Sequence, residues 1–127
     1  MPMVVIRKEQ MKVFDEQARQ TLIDEVVRDL VKHNPRDVAG YSHEQLRRLV
    51  AQGLERAAAY GFHKKFSLSL FIEMTFLAAP NFDEYPPIRY ILSHPGIPAD
   101  ERMDRVVGTL RDAEWEEVRR RAGRRQR

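Results

Sequence analysis

Hydrophobic residues recur along most of this chain at the spacing of an α-helix. The pattern is strongest in residues 46–79, where two apolar helical segments meet at a turn over residues 59–62. The first segment follows a period of 3.6 residues and predicts a helix with one buried face. The second, residues 68–77, is apolar on nearly every side and stops before Pro80. A helix that is apolar all round must be surrounded by protein, so we predict that it lies at the centre of a small helical domain.

The residues before this centre extend the helical pattern. Residues 8–33 carry apolar side chains every three or four positions and predict one long first helix, which ends before Pro35 because proline disfavours helical geometry in the preceding residue. Ser42 followed by Gln45 predicts a capping box at the start of the second helix. Gly61 is placed to end that helix in a left-handed conformation.

The carboxyl-terminal third predicts two shorter helices. Pro86 and Pro87 precede a helix over residues 88–93. Pro98 is well placed as the first residue of the last helix, which Gly108 interrupts. Together the segments predict an all-α fold, an irregular orthogonal bundle of five or six helices around the central apolar helix.

Charge is distributed unevenly along the chain. The 127 residues carry a formal net charge of +3, yet residues 119–127 contain six arginines and no acid. The remaining 16 basic residues stand against all 19 acidic ones, so residues 1–118 carry a formal charge of −3. This length fits one domain. We predict a single helical domain over residues 1–118, followed by an arginine-rich tail over residues 119–127 that frays.

Features that the sequence lacks indicate the cellular compartment in which we expect the protein. No apolar run reaches the roughly 20 residues that cross a bilayer, and the first residues lack a basic region followed by a signal-peptide core. The absence of cysteine excludes disulfides and thiolate metal sites, and it fits a reducing compartment. We predict a cytoplasmic protein that does not associate with membranes.

Glu73 is the only ionisable residue within the central apolar segment. A buried carboxylate needs a cationic partner, for which Arg56 and Arg89 are candidates, or its pKa rises toward a catalytically useful range. The alternative is that Glu73 shares the one polar strip of its helix with Ser69 and has a structural role. We favour the structural role.

Catalytic motifs are absent from the sequence. The four histidines are scattered and form no H-E-x-x-H pattern, in which two imidazoles four residues apart bind zinc. There is no G-x-S-x-G elbow, no cysteine nucleophile and no glycine-rich phosphate loop. We predict no enzymatic activity, no cofactor and no metal.

The arginine-rich tail has three interpretations. Dense positive charge can bind nucleic-acid phosphates, although the tail has no aromatic residues for base stacking and the rest of the chain is negative. The tail can also contact an acidic protein partner. The third interpretation is a solvated helix end, where arginines favour the negative pole of the helix dipole. The side chains concerned are Arg119, Arg120, Arg121, Arg124, Arg125 and Arg127.

Aromatic residues in the second half of the chain are candidates for contact with a protein partner. Aromatic side chains dominate interface hot spots because they bury a large area at little entropic cost. The alternative for the first two is that they plug the end of the bundle. The candidates are Phe82, Tyr85, Tyr90 and Trp115.

Several segments together resemble a group of small bacterial proteins encoded among type VI secretion effectors, spike-tip components and related polymorphic toxins. The matching segments are residues 6–11, residues 53–62, Phe82-Asp83 before Pro86-Pro87, and residues 102–105. The resemblance covers roughly residues 5–107 and leaves the arginine-rich tail outside.

The resemblance implies an accessory role and brings no catalytic residues. Proteins of this kind act as adaptors or chaperones that hold an effector before loading, or as immunity proteins that neutralise a toxin. Glu55, Arg56, Tyr60 and Gly61 lie in a matching segment, and we interpret them as helix packing and a helix C-cap, with Arg56 pairing an acid on the first or last helix. We therefore predict a non-enzymatic protein-binding accessory factor for a secreted toxin or effector. The alternatives are an immunity protein that neutralises a cognate toxin and a nucleic-acid-binding regulator that acts through the arginine-rich tail.

Overall fold

The computed structural model describes residues 8–125, and side chains within residues 16–122. This part of the chain is all-helical and contains no strand, which confirms the predicted all-α class. Residues 1–7 of the predicted domain and Arg127 of the predicted tail lie outside it. The elements in chain order are α1 Lys8–His33, α2 Pro35–Val38, α3 His43–Ala59, α4 Lys65–Leu77, a 3₁₀ turn Phe82–Glu84, α5 Pro86–Leu92, a 3₁₀ turn Ala99–Glu101, α6 Arg102–Thr109 and α7 Asp112–Arg125.

The predicted number of five or six helices is too low for the described residues, which form seven α-helices. The additional helix is α2, a single turn inside the segment predicted to be a loop after α1. Pro35 ends α1 as predicted, but it also serves as the first residue of α2, because its fixed φ suits a helix start.

Both ends of α3 follow the sequence prediction. The Ser42 hydroxyl accepts a hydrogen bond from the Gln45 N–H at 3.1 Å, and the Gln45 side chain accepts one from the Ser42 N–H at 2.8 Å. This reciprocal pair is a capping box. Gly61 follows the helix with a φ of 90°, a left-handed conformation that side chains with a Cβ rarely adopt.

Residues of α4 contribute to the hydrophobic core. Phe71 and Ile72 are fully buried, and α4 contacts α1, α2, α3 and α6. Gly53 allows α3 to approach closely, since a Cβ at this position would lie 3.2 Å from the Ile72 side chain. The rings of Phe71 and Phe82 are 4.9 Å apart. The orthogonal arrangement of the helices around α4 stays a prediction.

The predicted start of the last helix at Pro98 is wrong. Pro98 precedes the 3₁₀ turn Ala99–Glu101, and α6 begins only at Arg102. The reason is a long-range contact: the Asp100 carboxylate accepts hydrogen bonds from the backbone N–H groups of Lys64 at 2.8 Å and His63 at 2.9 Å, at the start of α4. These bonds hold the pKa of Asp100 below its ordinary value, and the bond from Lys64 has the largest effect.

The arginine-rich segment continues a helix. α7 runs from Asp112 to Arg125 across the predicted boundary between residues 118 and 119, and the predicted fraying of the tail stays a prediction. Ala122 within this segment is buried. The break between the last two helices falls at Leu110 and Arg111, shortly after the predicted position of Gly108.

Candidate functional site

An open groove of about 600 Å³ lies between α4 and α7. Each of these helices contributes positions i, i+3, i+4 and i+7, which share one face of a helix. α2 and α6 each add one residue. The lining consists of Leu70, Glu73, Met74 and Leu77 from α4, Asp112, Trp115, Glu116 and Arg119 from α7, Asp37 from α2 and Val107 from α6.

One hydrogen bond joins the two main walls of the groove. The Arg119 guanidinium donates a hydrogen bond to the Leu77 carbonyl at 3.2 Å. That carbonyl belongs to the last turn of α4, where no intrahelical N–H is available to it. Elsewhere α7 packs on the 3₁₀ turn Phe82–Glu84, whereas α4 packs on α1, α2, α3 and α6. This bond thus connects α4 and α7 at Leu77 and Arg119, the last lining residue of each helix.

The floor of the groove is apolar. Leu70, Met74 and Trp115 are partly buried and pack against the core. Val107 is 45 % exposed. A concave surface that combines apolar side chains with a few polar groups is the usual form of a binding site.

The rim of the groove is acidic. Its carboxylates belong to Asp37, Glu73, Asp112 and Glu116, and Arg119 provides the one guanidinium in the lining. None of the four acids forms a salt bridge with a described side chain. The groove therefore presents negative charge beside apolar surface.

Glu73 lies in the wall of the groove. Desolvation raises the pKa of Glu73 above its ordinary value, the nearby carboxylate of Asp29 raises it further, and His33 acts in the opposite direction. The predicted partner Arg56 is wrong, because its guanidinium pairs with Asp83 instead. Glu73 belongs to the α4 stripe that lines the groove.

Arg89, the other predicted partner of Glu73, does not pair with it either. Arg89 forms no salt bridge with a described side chain, and it acts electrostatically on Tyr60. Its position on α5 places it outside the lining of the groove.

The structure contradicts the predicted partner contact of Phe82. This side chain is 0 % exposed and packs on Phe71 inside the core, as the alternative of a plug at the bundle end requires. Tyr85 is half-buried, and the Arg121 guanidinium lies 4.9 Å from the centre of its ring.

The remaining two aromatic candidates lie in different places. Tyr90 is exposed on α5, packs edge-on against His94 and does not line the groove. Trp115 does line it, one helical turn before Arg119. Of the residues singled out in the sequence, the structure thus brings Glu73, Trp115 and Arg119 together.

A second polar cluster, which the sequence did not indicate, joins α3 to the 3₁₀ turn Phe82–Glu84. The buried Asp83 carboxylate accepts hydrogen bonds from the guanidinium of Arg56 and from the hydroxyl of Tyr60, the latter at 2.8 Å. Arg56 also donates to the Pro80 carbonyl. Burial, and then the bond to Asp83, raises the pKa of Tyr60 to about 12. Asp83 was missed because an acid beside Phe82 in a loop carries no sign of burial.

The predicted pairing of Arg56 with the first or last helix is therefore wrong. The neighbouring residue Glu55 connects α3 to α1 instead, through a salt bridge of 3.2 Å to Arg19. These contacts, and the C-cap at Tyr60 and Gly61, fit the structural interpretation of the four residues.

The arginines at the end of α7 contact the protein itself. Arg120 and Arg121 pair with Glu117 at 2.9 and 3.3 Å, and Arg119 binds the Leu77 carbonyl. The side chains of Arg124 and Arg125 lie outside the described residues.

Among the described residues, no helix is long and apolar enough to pass through a lipid bilayer. Within the same residues, no group of three or more His, Cys, Asp or Glu side chains is arranged to hold a metal ion. Comparisons with protein-family models, with curated proteins and with solved structures each gave no match. The resemblance to effector-associated proteins stays a prediction.

Proposed function

We propose that this protein is a non-enzymatic accessory factor that binds a protein partner in the groove between α4 and α7. The partner is a secreted effector or toxin, or a component of its delivery apparatus, and the role is that of an adaptor or chaperone in the cytoplasm. The groove itself is the observation that supports this most, since it is concave, partly apolar and lined by carboxylates without described salt-bridge partners. An irregular orthogonal bundle around α4 is part of the proposal.

The lining of the groove suits binding better than bond making. Leu70, Met74 and Trp115 offer apolar area, and its removal from water by a partner would contribute about 25 cal/mol per Å². The carboxylates at the rim would set specificity, because like charges on a wrong partner would be repelled.

Nucleic acid is the less favoured partner. The rim of the groove would repel phosphate groups, since four of its side chains are acids. At the end of α7, Arg120 and Arg121 already pair with Glu117, which lowers the charge available for phosphate contacts.

Co-expression with the effector or spike protein encoded beside this gene tests the proposal. Two exposed valines give a matched pair of variants: Val107 is 45 % exposed in the groove, and Val31 is 50 % exposed on α1 outside it. Val107→Arg fills the groove with a long side chain and should reduce the co-purified partner at least about tenfold, a change of about 1.4 kcal/mol in binding. Val31→Arg should leave recovery unchanged. Equal recovery with both variants would contradict the proposal.

The same experiment separates an adaptor from an immunity protein. An adaptor should raise the soluble or secreted amount of the effector. An immunity protein should restore growth to cells that produce the active toxin, and Val107→Arg should abolish that rescue if the groove is responsible.

A further inference from the structure

We infer that the segment held in the groove is an amphipathic α-helix of the partner, with lysine or arginine residues on both borders of its apolar face. This inference rests on the proposed function, because it names the chemistry of the segment that the groove would bind. The shape, the length and the charge of the groove each support it.

The shape of the groove fits a helix. α4 and α7 present rows of side chains at i, i+3, i+4 and i+7, and helices pack by placing the ridges of one between such rows of another. An apolar helix face laid into a groove between helices is a recurring mode of recognition. Recognition by adding a strand to a sheet edge is not available here, because residues 8–125 contain no strand.

The length of the groove corresponds to about two helical turns. Leu70 to Leu77 on α4, and Asp112 to Arg119 on α7, each span seven residue steps, or about 10 Å at 1.5 Å per residue. The bond from Arg119 to the Leu77 carbonyl joins the last lining residues of the two helices. A bound helix would therefore contact the floor through apolar residues at i, i+3 or i+4, and i+7.

The charge of the groove selects a basic helix. Its carboxylates come from three elements, with Asp37 on α2, Glu73 on α4, and Asp112 and Glu116 on α7, so both main walls of the groove carry acids. Lysine or arginine on each border of the bound apolar stripe could reach them, and the aliphatic stems would cover further apolar surface. An acidic helix would meet like charge on both sides.

The arginine-rich end of a second copy matches only part of the groove. Residues 119–127 have the required charge, but Ala122 is the only apolar side chain among them. Such a segment could pair with the rim while leaving the floor uncovered. A partner helix that has both features is the better occupant.

The single tryptophan of the chain provides the assay, because Trp115 lies in the groove and its fluorescence reports on binding there. The probe is a synthetic peptide of about 14 residues, a length at which alanine-rich helices begin to form. It carries leucines at i, i+3, i+4 and i+7 and lysines on both borders. One control peptide has glutamates in place of the lysines, and a second has the same composition in scrambled order.

We expect the basic peptide to bind at least about tenfold more tightly than the acidic one, with affinity that falls as salt is added. Neutralising three acids of the groove should weaken binding of the basic peptide at least about tenfold, whereas neutralising three exposed acids elsewhere should leave it unchanged. The groove variant is Glu73→Gln, Asp112→Asn, Glu116→Gln, and the matched control is Glu44→Gln, Glu101→Gln, Asp104→Asn.

Any of three results with the peptides would overturn the inference. These are equal affinity for the basic and acidic peptides, equal affinity for the scrambled peptide, or no binding of any peptide. Self-association of the protein that is lost in the groove variant would also overturn it, with a second copy as the occupant. The proposed function is tested separately, by whether Val107→Arg reduces the amount of full-length partner that co-purifies after co-expression.

Discussion

The ion pair between Arg56 and Asp83 allows a quantitative test of how α3 is joined to the 3₁₀ turn Phe82–Glu84. Asp83 is 6 % exposed, and its carboxylate accepts hydrogen bonds from Arg56 and Tyr60. The side chain of Arg56 is 39 % exposed. Because the acid is the more deeply buried partner, we predict that removing the cation costs more stability than removing the acid.

Arg56→Met removes the charge but keeps much of the stem whose guanidinium end lies over the ring of Phe71. The Asp83 carboxylate then remains buried with the hydroxyl of Tyr60 as its hydrogen-bond donor. Breaking a buried pair in this way typically costs about 3–5 kcal/mol. Water can enter at the exposed side of Arg56 and solvate part of the carboxylate, so we expect a loss of about 2–3 kcal/mol here.

Asp83→Asn should cost less. The amide keeps the volume of the side chain and an oxygen that accepts from Tyr60, while the guanidinium of Arg56 keeps its bond to the Pro80 carbonyl and reaches solvent. We expect a loss of about 1–1.5 kcal/mol, the usual net contribution of one hydrogen bond. The double variant should lose about 1 kcal/mol less than the sum of the single losses, since the second removal breaks no further pair.

Urea unfolding followed by circular dichroism measures these free energies, provided that the dependence on urea concentration is unchanged among the variants. Arg48→Met is the matched control, because Arg48 is an exposed arginine on the same helix. It should change stability by less than about 0.5 kcal/mol. A larger loss for Asp83→Asn than for Arg56→Met, or strict additivity in the double variant, would refute the reasoning.

Other substitutions test the remaining parts of the fold. Desolvation raises the pKa of Glu73, so the folded protein disfavours the charged carboxylate and loses stability as pH rises through that pKa. Glu73→Gln should therefore raise the melting temperature at neutral pH, but not at a pH below 4.5, the ordinary pKa of the group. The pKa of Asp100 is lowered, chiefly by the N–H of Lys64, so the stability that its carboxylate contributes is lost as pH falls through that pKa. Asp100→Asn should lower the melting temperature at neutral pH and have a smaller effect in acid. An unchanged melting temperature at neutral pH would exclude a stabilising role for Asp100. Gly53→Val should cost about 1–3 kcal/mol in urea unfolding, because its Cβ alone would lie 3.2 Å from the Ile72 side chain and its methyl groups need further space. Gly108→Ala, with open space around it, should instead gain about 0.5–1 kcal/mol.

Helix ends that depend on local chemistry could be predicted from the sequence. Ser42 and Gln45 bind each other's backbone within one turn, and Gly61 supplies a left-handed residue that its neighbours cannot adopt easily. Neither feature needs a distant part of the chain. The prediction therefore held at both ends of α3.

Features that depend on distant contacts could not be predicted. Pro98 suits a helix start, but the bonds of Asp100 to the backbone at Lys64 hold the following residues in a 3₁₀ turn instead. Phe82 and Trp115 are equally good hot-spot residues by type, yet one fills the core and the other lines a surface groove. Their different burial is set by the packing of the 3₁₀ turn, which no local pattern encodes.

The groove depends both on local sequence and on contacts between distant parts of the chain. Residues 68–77 are apolar nearly all round, so periodicity alone does not show which side of α4 is left uncovered. That side is decided by where α7 is anchored, through the bond from Arg119 to the Leu77 carbonyl, 42 residues away in sequence. Glu73 nevertheless marks it, because a charge is tolerated in such a helix only where water or a partner can reach it. Glu73 thus marks the face of α4 that lines the groove.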